Sequence, residues 1–456
     1  MRKKNNFGLL LLFIILISIC IGFVLLSSKF EQNIPTVEFE NNGYWNLKDK
    51  LKIILKDDTG IIYYKITFKT NKNSQILENK ILKISQNNIT LNISPPKLDM
   101  FFSSKEVSII IETIDNSKWN FLNGNSIIKE FKLKVDPNLP TANVIHNSLS
   151  ITRGGSAVVV VEVFDKNLQD AYISFNDKYR FKLSPFYKNN FYVSLITWPI
   201  NIEKFESFSL IVKDKANNIV KNRIPLYIRN FKVKNSNLKI TDKFIQNVSA
   251  NVLLKSSQSV PYDTKAIFIK ANRFLRVKNI NHLRDISLNS MSNKTINSFN
   301  INSFKRLRGS KRSGEYGTKR YYFYKKEKID ESWHLGIDWF NFKNSQVLSY
   351  NKGKVIFNDY LGIYGNSIVI NHGMGLFSLF SHLNSSYVKV GDTISANQKI
   401  GTTGSTGAAL GDHLHFGILI QGIESNPVEW SDKKWIKTRI TNILKDAKIL
   451  IDIKNR

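Results

Sequence analysis

An unbroken run of apolar residues near the start of the chain contrasts with the mixed pattern that follows it. Residues 7–26 (FGLLLLFIILISICIGFVLL) contain no charged side chain, and Arg2, Lys3 and Lys4 precede them. Twenty helical residues span about 30 Å, the thickness of the hydrocarbon core of a bilayer. The pattern therefore predicts an N-terminal transmembrane helix over 7–26. The basic cluster places residues 1–6 in the cytoplasm as a tail and the rest of the chain across the membrane.

A cleaved signal peptide and a lipoprotein signal both fit the apolar run less well than an anchor does. A cleaved signal peptide has a shorter apolar region that ends at small residues of the A-x-A type, which SSKFEQ does not supply cleanly. A lipoprotein signal at Cys20 would need a small residue where Ile19 stands. We therefore expect an uncleaved anchor. Cys20 is the one cysteine of the chain, so no intrachain disulfide forms, and we interpret it as a small apolar side chain in the span.

Strand-like patterns follow the apolar run as far as residue 232. Segments such as IIYYKITFK and VSIIIETI, and later SAVVVVEVFD and FSLIVKDKANN, are separated by clusters of Asn, Asp, Gly and Ser. The stretch KVDPNLPTANVI places two prolines between the two sets. This rhythm predicts two tandem Ig-like β-sandwich modules, at 34–136 and 140–232. No residue in them points to a ligand.

Helical spacing replaces the strand pattern after residue 234. Phe244, Val248 and Val252 recur behind Thr241, which is a candidate N-cap, and a second helical stretch follows Pro261. These apolar stripes are typical of ordinary core packing. We predict a helical connector over 235–300.

Short strand patterns and many glycines return in the last third of the chain. They predict a C-terminal antiparallel β-sheet domain over 304–435, which a helical tail at 436–456 follows. The predicted fold class is therefore mainly β, with the helices confined to the anchor, the connector and the tail.

Composition narrows the classes of function. A chain of 456 residues with 42% hydrophobic and 22% charged residues is typical of several soluble domains with an attachment. The formal charge of +30 favours polyanionic partners, including an anionic membrane surface or a wall rich in carboxylates and phosphates. The basic residues are spread over every domain, and no zinc-finger, RNA-recognition or helix-turn-helix pattern is present. We therefore predict no nucleic-acid partner.

Histidines concentrate in the last domain, where four of the seven fall between His372 and His415. His413 and His415 are two apart at the start of a predicted strand, so both imidazoles would project from one face, with Leu414 turned into the core. Upstream, His334 and Asp338 form an H-x-x-x-D pair. Two nitrogen ligands and a carboxylate suit zinc, and three protein ligands leave a coordination position open for catalysis.

A zinc site of this kind also needs groups that transfer protons. Zinc lowers the pKa of a bound water to near 7, and a base must take the proton. The chain has no H-E-x-x-H, so the remaining histidines of the site are the candidates, with His382 as the partner of His413. The competing interpretations are satisfied core histidines for His413 and His415, and a turn-capping carboxylate for Asp338.

Together, these segments resemble the lysostaphin-like, or LytM-type, zinc endopeptidases that cleave peptidoglycan peptides. The resemblance covers roughly a quarter of the chain and lies in WHLGIDW, NKGKVIF, YGNSIVINHGMGL, FSHL, VKVGDTISANQKIGTTGSTG, GDHLHFG and NPVEW. It implies that His334, Asp338 and His415 are zinc ligands. It also implies that His382 and His413 stabilise the transition state and handle protons.

The sequence departs from the common text of this family around GTTGSTGAALGDHLHFG. A longer loop with Ala408, Ala409 and Leu410 precedes the H-x-H, and Gly417 stands where an acidic residue is often found. Both differences bear on the wall of the substrate groove. The run GTTGSTG does not predict a phosphate site, because no G-K-[ST] follows it.

The resemblance implies a membrane-anchored bacterial zinc metalloendopeptidase that hydrolyses peptide cross-links of peptidoglycan during cell-wall remodelling. Its expected partners are peptidoglycan and, through the N-terminal helix, the inner membrane, and envelope protein partners are left open. The expected location is the cytoplasmic membrane as a single-pass protein, with the catalytic domain in the periplasm or outside the membrane. The first alternative is a catalytically inactive LytM-type adaptor that activates another wall hydrolase. The second is a secreted peptidase with a protein substrate.

Overall fold

The structure is a computed structural model that describes residues 7–98 and 102–454. The chain divides into two compact units. The first unit comprises Met1–Pro140, Asp165–Gln169 and Lys213–Ile219, and the second comprises Thr141–Phe164, Asp170–Val212 and Val220–Arg456. The predicted cytoplasmic tail at residues 1–6 lies outside the described residues.

The chain begins, as described, with the helix α1 (Phe7–Leu26). None of its side chains is buried in the protein, although the helix is apolar on every side. Among the described residues it is the one helix long and apolar enough to cross a membrane, a test that a signal sequence near the N-terminus also passes. The helix is therefore compatible with a single-pass membrane anchor.

The first module lies in the first unit and consists of strands that hydrogen-bond into one sheet. Its elements are β1 (Thr36–Phe39), β2 (Tyr44–Trp45), β3 (Leu51–Lys69), β4 (Ser74–Ile93), β5 (Glu106–Asp115), the short helix α2 (Trp119–Leu122) and β6 (Ser126–Val135). The order is β1-β3-β5-β6-β2, and β4 pairs with β3. Alternate residues of β3 enter the core, and the alternation shifts at an irregularity between Lys56 and Ile61. The Ig-like arrangement stays a prediction.

The strands of the second module are β7 (Thr141–Asn147), β8 (Ser150–Thr152), β9 (Ser156–Phe164), β10 (Leu168–Phe175), β11 (Tyr179–Lys182), β12 (Ser184–Pro185), β13 (Phe191–Thr197), β14 (Phe208–Asp214), β15 (Ile219–Arg223) and β16 (Tyr227–Arg229). They include two four-stranded sheets, with the orders β11-β10-β14-β15 and β12-β13-β9-β7. Residues 157–161 of β9 are fully buried, so both faces of this strand are covered.

The segment predicted as a helical connector begins as a strand, which corrects the prediction for residues 235–240. The alternating pattern of KNSNLKI forms β17 (Lys234–Ile240), which pairs in parallel with a strand of the C-terminal domain. Helices follow only after Thr241, whose side chain accepts a hydrogen bond from the Phe244 amide as an N-cap. They are α3 (Asp242–Phe244), α4 (Ala250–Lys255), α5 (Thr264–Ile269) and α6 (Arg276–Asn289), with π-helical turns at Ile245–Ser249 and Lys270–Leu275. The helical part therefore ends at residue 289 and does not reach 300.

The C-terminal domain is built on an eight-stranded sheet with the order β18-β21-β29-β25-β24-β23-β27, to which β30 adds beside β29. Two smaller sheets have the orders β17-β19-β20 and β22-β28-β26. The strands are β18 (Lys311–Gly314), β19 (Thr318–Tyr324), β20 (Glu327–Trp333), β21 (Ile337–Phe340), β22 (Gln346–Ser349), β23 (Gly353–Tyr360), β24 (Asn366–Gly373), β25 (Leu376–Ser381), β26 (Leu383–Ser386), β27 (Thr393–Ile394), β28 (Gln398–Thr403), β29 (Leu414–Ile420) and β30 (Ile423–Ser425).

Helices close the chain and pack against the second module. They are α7 (Pro427–Ser431), α8 (Lys433–Ile436), a π-helical turn at Lys437–Thr441 and α9 (Asn442–Lys454). The buried face of α9 carries Ile443, Leu444, Ala447 and Ile451, and this helix packs on β7 and β9. The C-terminal domain and most of the second module therefore belong to one compact unit.

Candidate metal centre

Three side chains of the second unit converge from neighbouring strands. Asp338 and His415 lie directly opposite each other on the paired strands β21 and β29, and His334 lies immediately after β20. His334 Nε2 is 3.0 Å from Asp338 Oδ1 and 3.3 Å from His415 Nδ1. His415 Nδ1 is 2.8 Å from the same carboxylate oxygen. All three side chains are buried.

Hydrogen bonds behind the three side chains fix how they face each other. The Nδ1–H of His334 donates to the backbone carbonyl of Glu315 at 2.9 Å, which leaves Nε2 with its lone pair. Burial lowers the pKa of His334 to about 4, so the ring is neutral near pH 7. Arg320 Nη2 donates to Asp338 Oδ2 at 3.2 Å. Burial alone would raise the pKa of Asp338, but the neighbouring His334 and His415 hold it well below its usual range.

These donors fit a zinc ion. Tetrahedral zinc with bonds of about 2.0–2.1 Å separates its ligand atoms by roughly 3.4 Å. The three facing atoms here are 2.8 to 3.3 Å apart, slightly closer than that. The lone pair on His334 Nε2 faces an ionised carboxylate, and two acceptors placed together in this way repel each other unless a cation lies between them. Two imidazoles and a carboxylate are also the ligand types that zinc takes.

Two glycines make room for this arrangement. A Cβ at Gly314 would lie 2.3 Å from Asp338 Oδ2, and a Cβ at Gly336 would lie 2.5 Å from His415 Nε2. A side chain at either position would therefore displace the converging groups. His415 Nε2 is buried beside Gly336 and has no hydrogen-bond partner among the described residues.

Two further histidines line the same groove. The His382 and His413 rings are 4.7 Å apart, and His413 Nε2 is 3.8 Å from Asp338 Oδ1. The Nδ1–H of His382 donates to the Thr406 carbonyl at 2.7 Å, and that of His413 donates to the Gly411 carbonyl at 2.8 Å. The Nε2 atom of each neutral ring therefore keeps its lone pair. Burial, followed by the nearby histidines, holds the pKa of His382 well below its usual range. His382 also has a left-handed backbone, with φ of 60°, a strained conformation that is typical of functional sites.

The structure brings together all five residues that the sequence predicted for the site. His413 precedes β29 and forms a bridge with Gly404, so it lies just before the strand on which it was expected. Leu414 is buried, as predicted. Of the other histidines, His372 bonds to the Lys352 carbonyl and the Ser378 hydroxyl, outside the groove.

The sequence interpretation missed several residues of the site. Arg320 and Glu315 contact the donor set, and the Tyr364 ring is 5.7 Å from that of His415. The Tyr364 hydroxyl donates to buried Glu424 at 3.4 Å. Tyr364 is the first residue of the segment YGNSIVI, and this motif could have identified it as a site residue from the sequence. Arg320 and Glu315 lie in no such motif.

An open groove of about 860 Å³ contains the five site residues. Its walls come from β17, β18, the start of α6 and the loop at 408–412, which includes the predicted insertion residues Ala408 and Leu410. The unpaired edge of β18 borders the groove, since β18 ends the large sheet.

A His, Asp, His donor set in an open groove of a β-sheet domain is the arrangement expected of a metal-dependent peptidase. Comparison with known families agrees: the profile of peptidase family M23 matches residues 332–427. The C-terminal part of this chain is thus an M23 domain.

Known relatives are similar to the chain over different lengths. An uncharacterized metalloprotease of Buchnera aphidicola is 29% identical over 315 residues, which cover 62% of this chain and 76% of the relative. The peptidoglycan DD-endopeptidase ShyC of Vibrio cholerae is 33% identical over 94 residues, 21% of this chain and 22% of that protein. The murein hydrolase activator EnvC of Escherichia coli is 36% identical over 88 residues, 19% and 21% of the two chains. The chain thus spans about a fifth of the length of these last two relatives.

Proposed function

We propose that this protein is a zinc metalloendopeptidase that hydrolyses peptide cross-links in peptidoglycan. The observation that carries the proposal is the convergence of His334 Nε2, Asp338 Oδ1 and His415 Nδ1 in an open groove. The similarity of the M23 domain to a peptidoglycan DD-endopeptidase supports the substrate. The apolar helix α1 would hold the protein in the cytoplasmic membrane, with the M23 domain in the periplasm or outside the membrane.

The five site residues divide into two roles. His334, Asp338 and His415 would hold the zinc ion. When bound, zinc supplies Lewis-acid polarisation of the scissile carbonyl and activation of a water molecule near neutral pH. His382 accepts a proton at its free Nε2, because its low pKa keeps the ring neutral. His413 presents its own Nε2 to the same part of the groove, where it takes part in proton transfer and stabilises the charge that develops on the substrate.

Zinc content tests the ligand assignment. We expect about one zinc ion per chain in full-length protein purified in detergent without a chelator, because three preset ligands form a catalytic site. Asp338→Ala should lose the ion, and elemental analysis measures it. A zinc content unchanged by this substitution would contradict the assignment.

Hydrolysis tests the proposed activity. Wild-type protein should release soluble fragments from purified peptidoglycan, and His413→Ala should lower that rate about 100-fold to 10,000-fold while zinc stays bound. The control is His282→Ala, which changes an exposed histidine of α6 outside the groove. Equal release by wild type and His413→Ala at matched zinc content would refute the catalytic role.

The alternative is an adaptor that activates another wall hydrolase, and the similarity to EnvC favours it. The intact donor set argues against it, because an adaptor has no use for converging metal ligands. If neither wild type nor His413→Ala releases fragments, yet both stimulate a partner hydrolase equally, the adaptor function replaces the proposed one.

A further inference from the structure

The loop between β5 and β6 of the first module carries two adjacent apolar side chains that the described part of the protein leaves uncovered. Phe121 is 96% exposed and Leu122 is 68% exposed. We call these two residues the apolar tip. Burial of a phenylalanine or leucine side chain is strongly favourable, and an exposed pair gains none of that free energy from the protein itself. A surface outside the protein could supply it.

The apolar tip is the apex of a closed turn. Asn120, Phe121 and Leu122 have φ angles of 51°, 55° and 70°, in the left-handed region that residues with a Cβ seldom adopt. The Asn123 amide closes the turn by donating to the Asn120 carbonyl at 3.1 Å. The chain therefore reverses direction at the apolar tip.

Hydrogen bonds place this loop beside the segment that follows α1. The Ser117 hydroxyl donates to the Glu31 carbonyl at 2.7 Å. One residue further on, the Lys118 amide donates to the Lys29 carbonyl at 2.6 Å. Between these two bonds the partner changes from residue 31 to residue 29, which is the direction of Leu26 at the end of α1. The loop therefore runs away from β5 and towards α1 before it turns at the apolar tip.

The apolar tip is close enough to α1 to reach the membrane that this helix would span. Lys29 is three residues beyond Leu26, and Phe121 is three residues beyond Lys118. Three residues of extended chain span at most about 11 Å. The polar layer on each side of the hydrocarbon core is about 5 to 8 Å thick. A turn that continues from Lys118 towards α1 over this length reaches the boundary between headgroups and acyl chains.

The charged groups beside the turn suit a position at the headgroups. Lys29 and Lys118 are exposed, and lysines near the end of a membrane helix place their ammonium groups among the headgroups. The carboxylate of Asp115 is fully buried. It accepts from the amides of Ser117 and Asn125 at 2.9 and 2.8 Å. This negative charge is therefore satisfied inside the protein.

We propose that Phe121 and Leu122 insert into the boundary between headgroups and acyl chains of the membrane that α1 spans. The partner of the apolar tip is thus a lipid surface, and this contact adds to the attachment that α1 provides. The inference rests on the membrane anchor of the proposed function. Its driving force is the burial of apolar surface, so it does not require anionic lipids.

Accessibility of a spin label tests the inference in the full chain. Because Cys20 is the one cysteine, Cys20→Ser allows a single nitroxide label at Leu122→Cys or at Leu139→Cys. Leu139 is the matched control, since it is 63% exposed but follows β6, whose ten residues span about 33 Å. In phosphatidylcholine vesicles, the label at position 122 should be more accessible to oxygen, which concentrates in lipid, than to a water-soluble nickel chelate. The label at position 139 should show the reverse.

A substitution at Phe121 tests whether its side chain drives insertion. With the label at position 122, Phe121→Asp should lower the ratio of oxygen to nickel accessibility towards the ratio at position 139. The reason is that burial of a phenylalanine favours the inserted state by about 10-fold to 100-fold, and a carboxylate opposes it. The control is Asn123→Asp, which adds the same charge at an exposed polar neighbour and should leave the ratio high.

Two results would overturn the inference: nickel accessibility at position 122 equal to that at position 139, or equal effects of Phe121→Asp and Asn123→Asp. The first would leave the apolar tip available to a protein partner. A label on the native Cys20 separates the inference from the proposed anchor. If Cys20 is in lipid and position 122 is in water, the anchor stands and the inference alone is wrong. If Cys20 is in water, the anchor fails, and the signal at position 122 still decides the inference. Neither outcome depends on peptide hydrolysis.

Discussion

Arg320 and the backbone of Glu315 hold two of the converging side chains from behind. The Arg320 guanidinium bonds to the Asp338 oxygen that does not face the histidines, and the Glu315 carbonyl selects the His334 tautomer. Partners of this kind fix the orientation of metal ligands and commonly change metal affinity by 10-fold to 100-fold. Arg320 is therefore a positioning residue and does not itself bind the metal.

Replacement of Arg320 should weaken zinc binding without unfolding the domain. We expect Arg320→Gln to lower zinc affinity about 10-fold to 100-fold, because Asp338 loses the bond that orients it. Competition with a chromophoric chelator measures the affinity. The exposed Arg308, outside the groove lining, gives the control Arg308→Gln. An unchanged affinity in Arg320→Gln would show that packing alone orients Asp338.

Sequence patterns identified the residues that converge but not the residues that support them. His334, Asp338 and His415 stand in short motifs whose order along the chain already suggested one site. Arg320 reaches Asp338 only because β19 and β20 form a hairpin and β18 pairs with β21. Such a contact depends on strand pairing, and pairing leaves little trace in a single sequence. The catalytic and metal-binding roles themselves stay predictions.

At the scale of elements, β17 shows how a local pattern misleads when its partner is distant. Residues 235–240 precede a genuine helical pattern, and the predicted helical segment was extended over them although they form a strand. Leu238 and Ile240 pack against the core that the helices share with the C-terminal domain. Parallel pairing with β19 supplies the backbone hydrogen bonds, so tertiary context determines that this segment is a strand.

The segment NPVEW joins the M23 domain to the second module. Its Trp430 indole donates to the Ser156 hydroxyl at 3.0 Å, and Glu429 accepts from the Ser156 amide at 2.8 Å. Gly155 leaves the space that the Glu429 carboxylate occupies, since a Cβ there would lie 2.3 Å from it. The junction thus places an ionisable group where little water reaches it.

The Glu429 junction should make stability depend on pH. Burial raises the pKa of Glu429 from 4.5 to about 8, so the folded protein holds this proton more tightly than the unfolded chain. The resulting stabilisation is complete below about pH 4.5 and is lost as the pH rises through about 8. Thermal unfolding between pH 5 and 9 should show Tm falling with pH in wild type and falling less in Glu429→Gln. The exposed Glu203 gives the control Glu203→Gln, and a parallel decline in all three proteins would contradict this role of Glu429.

For the molecule as a whole, α1 is the feature that bears on location. A helix that is apolar all round and buries no side chain in the described part of the protein has a large surface that water solvates poorly. A bilayer of about 30 Å covers a helix of this length. The sequence predicted these bounds because a long apolar helix, unlike a strand, needs no distant partner to form.

The anchor prediction concerns the mature protein. We expect the full chain to fractionate with membranes and to keep its N-terminus, because the apolar run lacks small residues at a cleavage position. Intact-mass spectrometry of the membrane fraction tests this. A new terminus between residues 27 and 32 would instead identify a cleaved signal peptide.

The contact between Trp430 and Ser156 can form only late in the synthesis of the chain. Ser156 and Trp430 are 274 residues apart, and β9, buried on both faces, lacks part of its cover until that later part of the chain is made. At about 5–20 residues per second, synthesis of the intervening chain takes about 14 to 55 s. Until then the valine-rich strand is exposed to chaperones and to other chains. A ribosome that stalls before codon 430 would therefore leave a product prone to aggregation, however complete its first module is.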